Sequence, residues 1–327
     1  MIITRTPFRI SFCGGGSDYP WWVKDHIGMT LGATIDKYCW LTVDYAPRFL
    51  SHRYRVVYSK IEQCPRIEDI QHPAVRATLE YLGITEGVEI LHAADLPSRS
   101  GVASSSAFVV GLLAALHGAL GQHRTCLELA KEATNIERNL LGEPVGNQDQ
   151  ILTAFGGLNQ IVFHPAGETR VRQLDLSPAR LAALHERLLL FYVGPRRGGH
   201  APASQFDAVK DNAANVTAMQ RLAQTARDGA DILTGGDVED FGPLLHESWE
   251  IKRRLWADAS TERIDSIYST CREAGATGGK LLGAGGGGFM LFFAPPERHR
   301  AIREAWTGLT HVPFQFETQG VQVVAGA

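Results

Sequence analysis

The chain has 327 residues, 44% hydrophobic and 20% charged, with a formal net charge of −3. That length suits two domains, or one large one, with an ample core, and the charge balance excludes a general nucleic-acid binder. Five scattered cysteines (Cys13, Cys39, Cys64, Cys126 and Cys271) form no C-x-x-C pair, which excludes a disulfide framework and a zinc site and suits a reducing cytoplasm.

The opening stretch, MIITRTPFRISF, carries no signal-peptide hydrophobic region. The longest apolar run lies within 107–121 and contains His117 and glycines; it falls short of the ~20 residues a membrane span needs. A cytoplasmic protein with no membrane partner is therefore expected. TRTPFRISF reads as a strand, with Pro7 near its start. GATIDKYCWLTVDY alternates and is rich in β-branched and aromatic residues, and RYRVVYS and VEILHA are two shorter strands. A helix at 74–82 stands between those two and ends at Gly83.

LPSRSGVASSSAFVVGLL, residues 96–113, is a serine-rich turn opening into a helix that is apolar nearly all round, hence buried. Thr125 and Glu128 fit a capping box for the next helix, which is expected to run to Leu141 and stop at Gly142. NQDQILTAF is a short helix and GGLNQIVF a strand. A domain boundary is placed near 170. Beyond it come the strand RLLLFYVG, helical stretches at about 200–228, 238–256 and 260–274, a glycine loop at 278–288 and the strand GFMLFF. A helix near 296–307 and a strand near 312–318 close the chain. Strands and helices are grouped rather than strictly alternating, which predicts two α+β halves.

Five places can carry chemistry. Gly14, Gly15 and Gly16 end the first strand, with Ser17 and Asp18 following; they make either a tight turn or a close approach to a hydroxylated ligand. The turn at 97–106 is either a helix cap or a phosphate cradle at a helix N-terminus. On a helical wheel Glu137 falls among Leu129, Ala130, Ala133, Ile136 and Leu140, while the other charged residues of its helix fall opposite. A buried carboxylate there calls for a cation, whether a metal or an arginine. Asp149, on a loop entering a helix, is a cap or a general base. The glycines of GGKLLGAGGGGF point to a close ligand approach; Lys280 among them is a solvated charge or a phosphate contact.

These elements, in this order, resemble the GHMP kinases, the superfamily of galactokinase, homoserine kinase and mevalonate kinase. The resemblance covers nearly the whole chain and is strongest to the D-glycero-D-manno-heptose 7-phosphate kinases. TPFRISFCGGGSDYP, GATIDKY, IQHPAVR and GGKLLGAGGGGF carry it, with HESWEIKRRL upstream of the last. It implies a two-domain α+β fold, 1–170 ribosomal-protein-S5-domain-2-like and 171–327 ferredoxin-like, working with ATP and Mg²⁺ on a sugar or sugar phosphate.

LPSRSGVASSSA then corresponds to the phosphate loop P-x-G-x-G-L-G-S-S-A. Pro97, Ser100, Gly101, Val102, Ala103, Ser104, Ser105 and Ser106 would bind ATP. Arg99 and Ala103 stand where that pattern has glycine. The resemblance assigns Mg²⁺ to Ser105 and Glu137, and catalysis to Asp149 with Arg9 beside it. It assigns the acceptor to Gly14, Gly15, Gly16, Ser17 and Asp18, with Gly285, Gly286 and Gly287 closing over the junction of the substrates. Arg196 and Arg197 are a candidate phosphate clamp or a solvated loop. The implied reaction is phosphorylation of the anomeric hydroxyl of the heptose 7-phosphate. A kinase for another sugar such as fucose, or for a mevalonate-type alcohol, and a catalytically inactive sugar-binding regulator are the alternatives. A homodimer is compatible with the sequence.

Overall fold

The computed structural model describes residues 1–46, 52–195 and 212–326, so Arg196 and Arg197 lie outside the described residues. In chain order the elements begin β1 (Ile2–Cys13), α1 (Pro20–Val23), β2 (Gly28–Tyr45), β3 (Tyr54–Val57) and β4 (Ile61–Cys64). There follow α2 (Pro73–Tyr81), β5 (Val88–Ala94), α3 (Ser104–Ala119), α4 (Cys126–Asn135) and α5 (Gln148–Phe155). Next are β6 (Leu158–Phe163), β7 (Thr169–Gln173), α6 (Pro178–His185), β8 (Leu188–Gly194), α7 (Ala213–Gly235), α8 (Phe241–Leu255) and α9 (Glu262–Glu273). The last are β9 (Gly278–Leu281), β10 (Gly288–Phe293), α10 (His299–Ala305), β11 (Thr310–His311), β12 (Phe316–Glu317) and β13 (Gln322–Ala325).

A nine-stranded sheet runs β13-β1-β2-β5-β3-β4, with β6 and β12 also on β2 and β7 on β6. The second sheet has four strands in the order β11-β8-β10-β9. Pairing is antiparallel except between β3 and β5. β2 is the spine of the first sheet: its first third pairs β6 and its last third pairs β5. Pro7 lies inside β1 beside a register shift to Phe8, an irregularity of the kind where a strand tolerates a residue without an N–H.

β12 and β13 leave the second half and complete the first sheet, and β7 straddles residue 170. The two sheets therefore do not divide the chain at one point. α3 packs on β1 and β2, and α7 packs on the same two strands. One core cluster joins Phe8, Phe12, Leu31 and Leu112 to Phe241, Leu282, Phe289 and Phe293, so both halves share it. A second lies around Trp249, Ile267, Phe191 and Phe292.

The expected boundaries hold for most elements. The capping box of α4 forms as expected. The helix expected to reach Leu141 instead ends as α4 at Asn135 and continues as one wide π-turn over Ile136–Leu140. Residues 278–281, expected as glycine loop, are strand β9. Among the described residues no helix is long and apolar enough to cross a membrane.

Candidate functional site

The N-terminus of α3, the turn before α5, the end of β1 and the loop between β9 and β10 converge on one cleft of about 560 Å³. That is a common size for a small-molecule site. Of the residues expected there, Arg9, Gly15, Gly16, Asp18 and Asp149 line it. From the serine-rich turn, Pro97, Ser100, Gly101, Ala103, Ser104, Ser105 and Ser106 line it as well, with Gly285 and Gly287 opposite. Gly14, Ser17, Val102 and Gly286 do not. Val102 is fully buried. Gly14 packs on the Met29 carbonyl, and the Ser17 hydroxyl donates to the carbonyls of Gly14 and Met29. Gly14 and Ser17 thus shape the turn after β1 rather than face the cleft.

The serine-rich turn keeps a glycine-like backbone without the glycines. Arg99 and Ala103 have φ of 56° and 63°, the only positive values at non-glycine residues among those described. Side chains at such angles are strained by about 1–2 kcal/mol each. Local bonds hold the path: Ser100 Oγ donates to Pro97 O at 2.6 Å, and the Arg99 amide donates to Ser104 Oγ at 3.0 Å. The Arg99 side chain is exposed at the cleft rim.

This turn is also packed backbone to backbone on the loop between β9 and β10. A methyl at Gly101 would run into the Leu282 carbonyl, and one at Gly288 into the Ser100 carbonyl. The Phe289 amide donates to that same Ser100 oxygen at 3.1 Å. Gly288 thus answers to the backbone of the serine-rich turn, while Gly285 and Gly287 line the cleft.

Arg9 ties the turn to Asp149. Its Nε and Nη2 donate to the two Asp149 oxygens at 2.9 and 2.7 Å, and its Nη1 donates to Gly101 O at 2.5 Å. Arg9 is buried, whereas the Asp149 side chain is 29% exposed toward the cleft. Charge-assisted bidentate bonding of this kind fixes direction as well as distance.

Glu137 is fully buried behind the turn, as its wheel position predicts. Among the described residues no arginine or lysine hydrogen-bonds to it: its hydrogen bonds come from the Ser105 hydroxyl, Ser106 Oγ at 2.9 Å and Gln150 Nε2 at 2.5 Å. Burial pushes its carboxyl up to about 7, against the pull of those three donors. Gln150 Oε1, beside it, is buried without a donor. The π-turn carries Glu137 and Arg138 in succession, a helix irregularity often found at functional sites. Glu137 turns to the serines, while Arg138 Nη2 donates to Val145 O at 2.9 Å and Asn147 Oδ1 at 2.8 Å, bracing the segment before Asp149.

Asp18 lines the cleft with a carboxylate that the protein itself also bonds. Oδ2 accepts from the Asn147 and Gln148 amides at 2.8 and 3.0 Å, and Oδ1 from the Gly16 amide and Gln148 Nε2 at 3.0 and 3.2 Å. Four donors occupy a carboxylate that burial pushes above its usual range. Asp18 accepts amides at the start of α5, in the same first turn as Asp149, where a negative charge suits the helix dipole.

Lys280 is not a solvated charge. It is buried, lines the cleft, and donates from Nζ to Phe12 O at 2.8 Å. Residue types alone did not signal Gln150, Arg138, Lys252 or Trp256. Lys252 reaches the Gly283 carbonyl and lines the cleft with Trp256, whose ring lies against Gly16. HESWEIKRRL contains Lys252, and its spacing on α8 is the signal available for it.

The family model described as GHMP kinases N terminal domain matches residues 69–157, and the one described as GHMP kinases C terminal matches residues 223–309. Together they span more than half of the chain.

The chain belongs to the GHMP kinases.

As a GHMP kinase it is 27% identical to the D-glycero-alpha-D-manno-heptose 7-phosphate kinase of Campylobacter jejuni, over 98% of each chain. It is 26% identical to the bifunctional fucokinase/GDP-fucose pyrophosphorylase of Arabidopsis thaliana, over 91% of this chain and 30% of that one. Its fold matches the crystal structure of a D-glycero-D-manno-heptose 1-phosphate kinase from Bacteroides thetaiotaomicron with a TM-score of 0.80 at 24% identity, covering 98% of both. In this GHMP kinase the serine-rich turn and Asp149 line one cleft, with Glu137 buried behind the turn and hydrogen-bonded to its serines.

Proposed function

We propose that this kinase transfers the γ-phosphoryl group of ATP to a sugar hydroxyl, and that its acceptor is the anomeric hydroxyl of D-glycero-D-manno-heptose 7-phosphate, giving the 1,7-bisphosphate. The observation that carries this reading is the Arg9 fork, which joins Asp149 to the phosphate-loop carbonyl of Gly101. It couples the group that handles the acceptor proton to the loop that handles phosphate. The similarity to the Campylobacter jejuni enzyme supports the choice of acceptor.

The residues present fit Mg²⁺. The Ser105 hydroxyl and the Glu137 carboxylate are hard oxygen donors; among the described residues no arginine or lysine hydrogen-bonds to the buried Glu137, and Gln150 Oε1 beside it has no hydrogen-bond partner. A site that supplies few protein ligands suits an ion that keeps waters and phosphate oxygens. Ser105 and Glu137 would hold it, and when bound it neutralises charge on the β- and γ-phosphates.

The chain's own residues position and exclude. Amides of 100–106 and the start of α3 face the nucleotide phosphates, with the helix dipole favouring their charge. Asp149 accepts the proton of the sugar hydroxyl as its oxygen bonds to the γ-phosphorus. The bond from that phosphorus to the bridging oxygen breaks, and ADP leaves. Arg9 holds both Asp149 oxygens in place, so the remaining lone pairs point to the acceptor. Trp256 against Gly16 offers an apolar wall to the sugar's CH face. The cytoplasm is the working compartment, in keeping with cysteines that are all free thiols.

A coupled ADP-release assay across heptose 7-phosphate, heptose 1-phosphate, fucose, galactose and mevalonate tests the acceptor. NMR of the product fixes the phosphorylated carbon. Turnover greatest with heptose 7-phosphate and a new phosphate on the anomeric carbon is expected; turnover confined to another acceptor sinks the assignment.

A further inference from the structure

Lys280 takes no part in the chemistry above, yet its placement is unusual for a lysine. It stands on β9, 3% exposed, in the wall of the cleft beside Arg9. Such residues are almost never buried without a partner of opposite charge. The charged or titratable groups that act on it are the Arg9 guanidinium and the Cys13 thiol, both from β1. The thiol cannot offset it: burial pushes Cys13 up to about 11, with Thr225, Ser248 and Asp228 also acting on that sulfur from the helices behind. Arg9 is itself a cation, and Asp149 is already bonded to it. Among the described residues no carboxylate acts on Lys280 directly: the groups that do are a cation, whose own partner is Asp149, and a neutral thiol.

We propose that Lys280, with Arg9 beside it, forms an anion subsite that takes a phosphate oxygen of a substrate. The ligand chemistry is a phosphate oxyanion, supplied either by the γ-phosphate of ATP or by the acceptor's own phosphate. This inference rests on the kinase reading. Its structural rival is a tether, in which Lys280 serves only to join β9 to the Phe12 carbonyl at the end of β1.

The test compares the parent enzyme with Lys280→Met and Lys280→Arg, each with a phosphorylated sugar and its unphosphorylated counterpart. Lys280→Met is expected to lower kcat/KM by about 100-fold or more, with Lys280→Arg recovering most of the loss. A loss in kcat shared by both acceptors assigns the oxygen to ATP. A loss in KM confined to the phosphorylated acceptor assigns it to the acceptor. Lys280→Met within about threefold of the parent on both acceptors overturns the proposal. So does a charge-independent loss, equal in both variants and matched by a lowered melting temperature.

A second measurement needs no variant. Burial holds the free Lys280 ammonium down to about 8, so part of it is neutral at higher pH. A bound oxyanion favours the charged form, so binding takes up a proton. Calorimetry of the parent at about pH 9, in two buffers of different ionisation enthalpy, reads that uptake directly. The non-hydrolysable analogue AMPPNP and the sugar phosphate are titrated separately. Uptake with either supports the subsite and names its source; uptake with neither overturns it. Failure of the kinase reading looks different: the parent enzyme then turns over no acceptor with ATP.

Discussion

Arg9 grips Asp149 through two nitrogens and the Gly101 carbonyl through the third. One buried guanidinium therefore sets the distance between the serine-rich turn and the Asp149 carboxylate, to which the phosphate and acceptor roles are proposed. Asp149→Asn keeps the volume but gives up the charge and the basic oxygen, and is expected to lower kcat by about 10³-fold. Arg9→Lys keeps the charge but not the fork, and is expected to cost at least about tenfold in kcat. Both are checked by steady-state kinetics on protein shown folded by circular dichroism. Near-normal turnover of Asp149→Asn would remove Asp149 from the mechanism.

Glu137 links activity to pH and stability with opposite signs. Its carboxyl moves from an ordinary 4.5 to about 7 on folding. Stability from this group is complete below pH 4.5 and is lost as pH rises through about 7, a fall of about 3 kcal/mol. Glu137→Gln removes that fall, so in metal-free buffer its denaturation midpoint should match or exceed the parent's at about pH 8. The same change should lower kcat by about 100-fold or more, because the charge proposed to hold Mg²⁺ is gone. Urea denaturation at both ends of the pH range, beside kinetics, separates the two effects.

The backbone contact between Gly288 and Ser100 predicts a steep response to one methyl group. Gly288 has φ of 101° and no room for a Cβ against the Ser100 carbonyl. Gly288→Ala should destabilise by about 2–5 kcal/mol and displace the phosphate loop. Gly83→Ala is the control, because Gly83 also has positive φ (64°) but nothing near its missing Cβ. It should cost only about 1 kcal/mol, with kcat unchanged. Thermal melts of the pair would show whether crowding or conformation dominates.

Arg99 predicts a gain. Its φ of 56° is left-handed, and its side chain is exposed. Arg99→Gly should raise stability by about 1 kcal/mol, because the backbone strain disappears. The KM for ATP should stay within about twofold of the parent. A large rise in KM would instead make Arg99 a phosphate ligand.

Patterned segments were legible from residues alone. β2, α3 and the Thr125–Glu128 cap follow from alternation, apolar continuity and spacing. The inward turn of Glu137 follows from the wheel. What sat beside Glu137 did not, because Gln150 arrives from another helix. Asp18 is the same case: its four donors come mostly from 147–148, far along the chain. The short strands β12 and β13 have little pattern of their own and exist because β2 and β1 offer edges. Departures from the family's loop pattern at Arg99 and Ala103 were visible, but not that the backbone would keep the glycine path and carry the strain.

The return of β13 to β1 has a consequence for the order of assembly. Ile3 is paired with Ala325, and Phe316 and Glu317 sit on β2. During synthesis the first sheet keeps an open edge on β1 until β13 has emerged. An unpaired edge is a template for pairing with other chains. The last dozen residues thus act as a seal on the oldest part of the molecule. A chain cut short before Phe316 should therefore aggregate, even though every described residue that lines its cleft is already made.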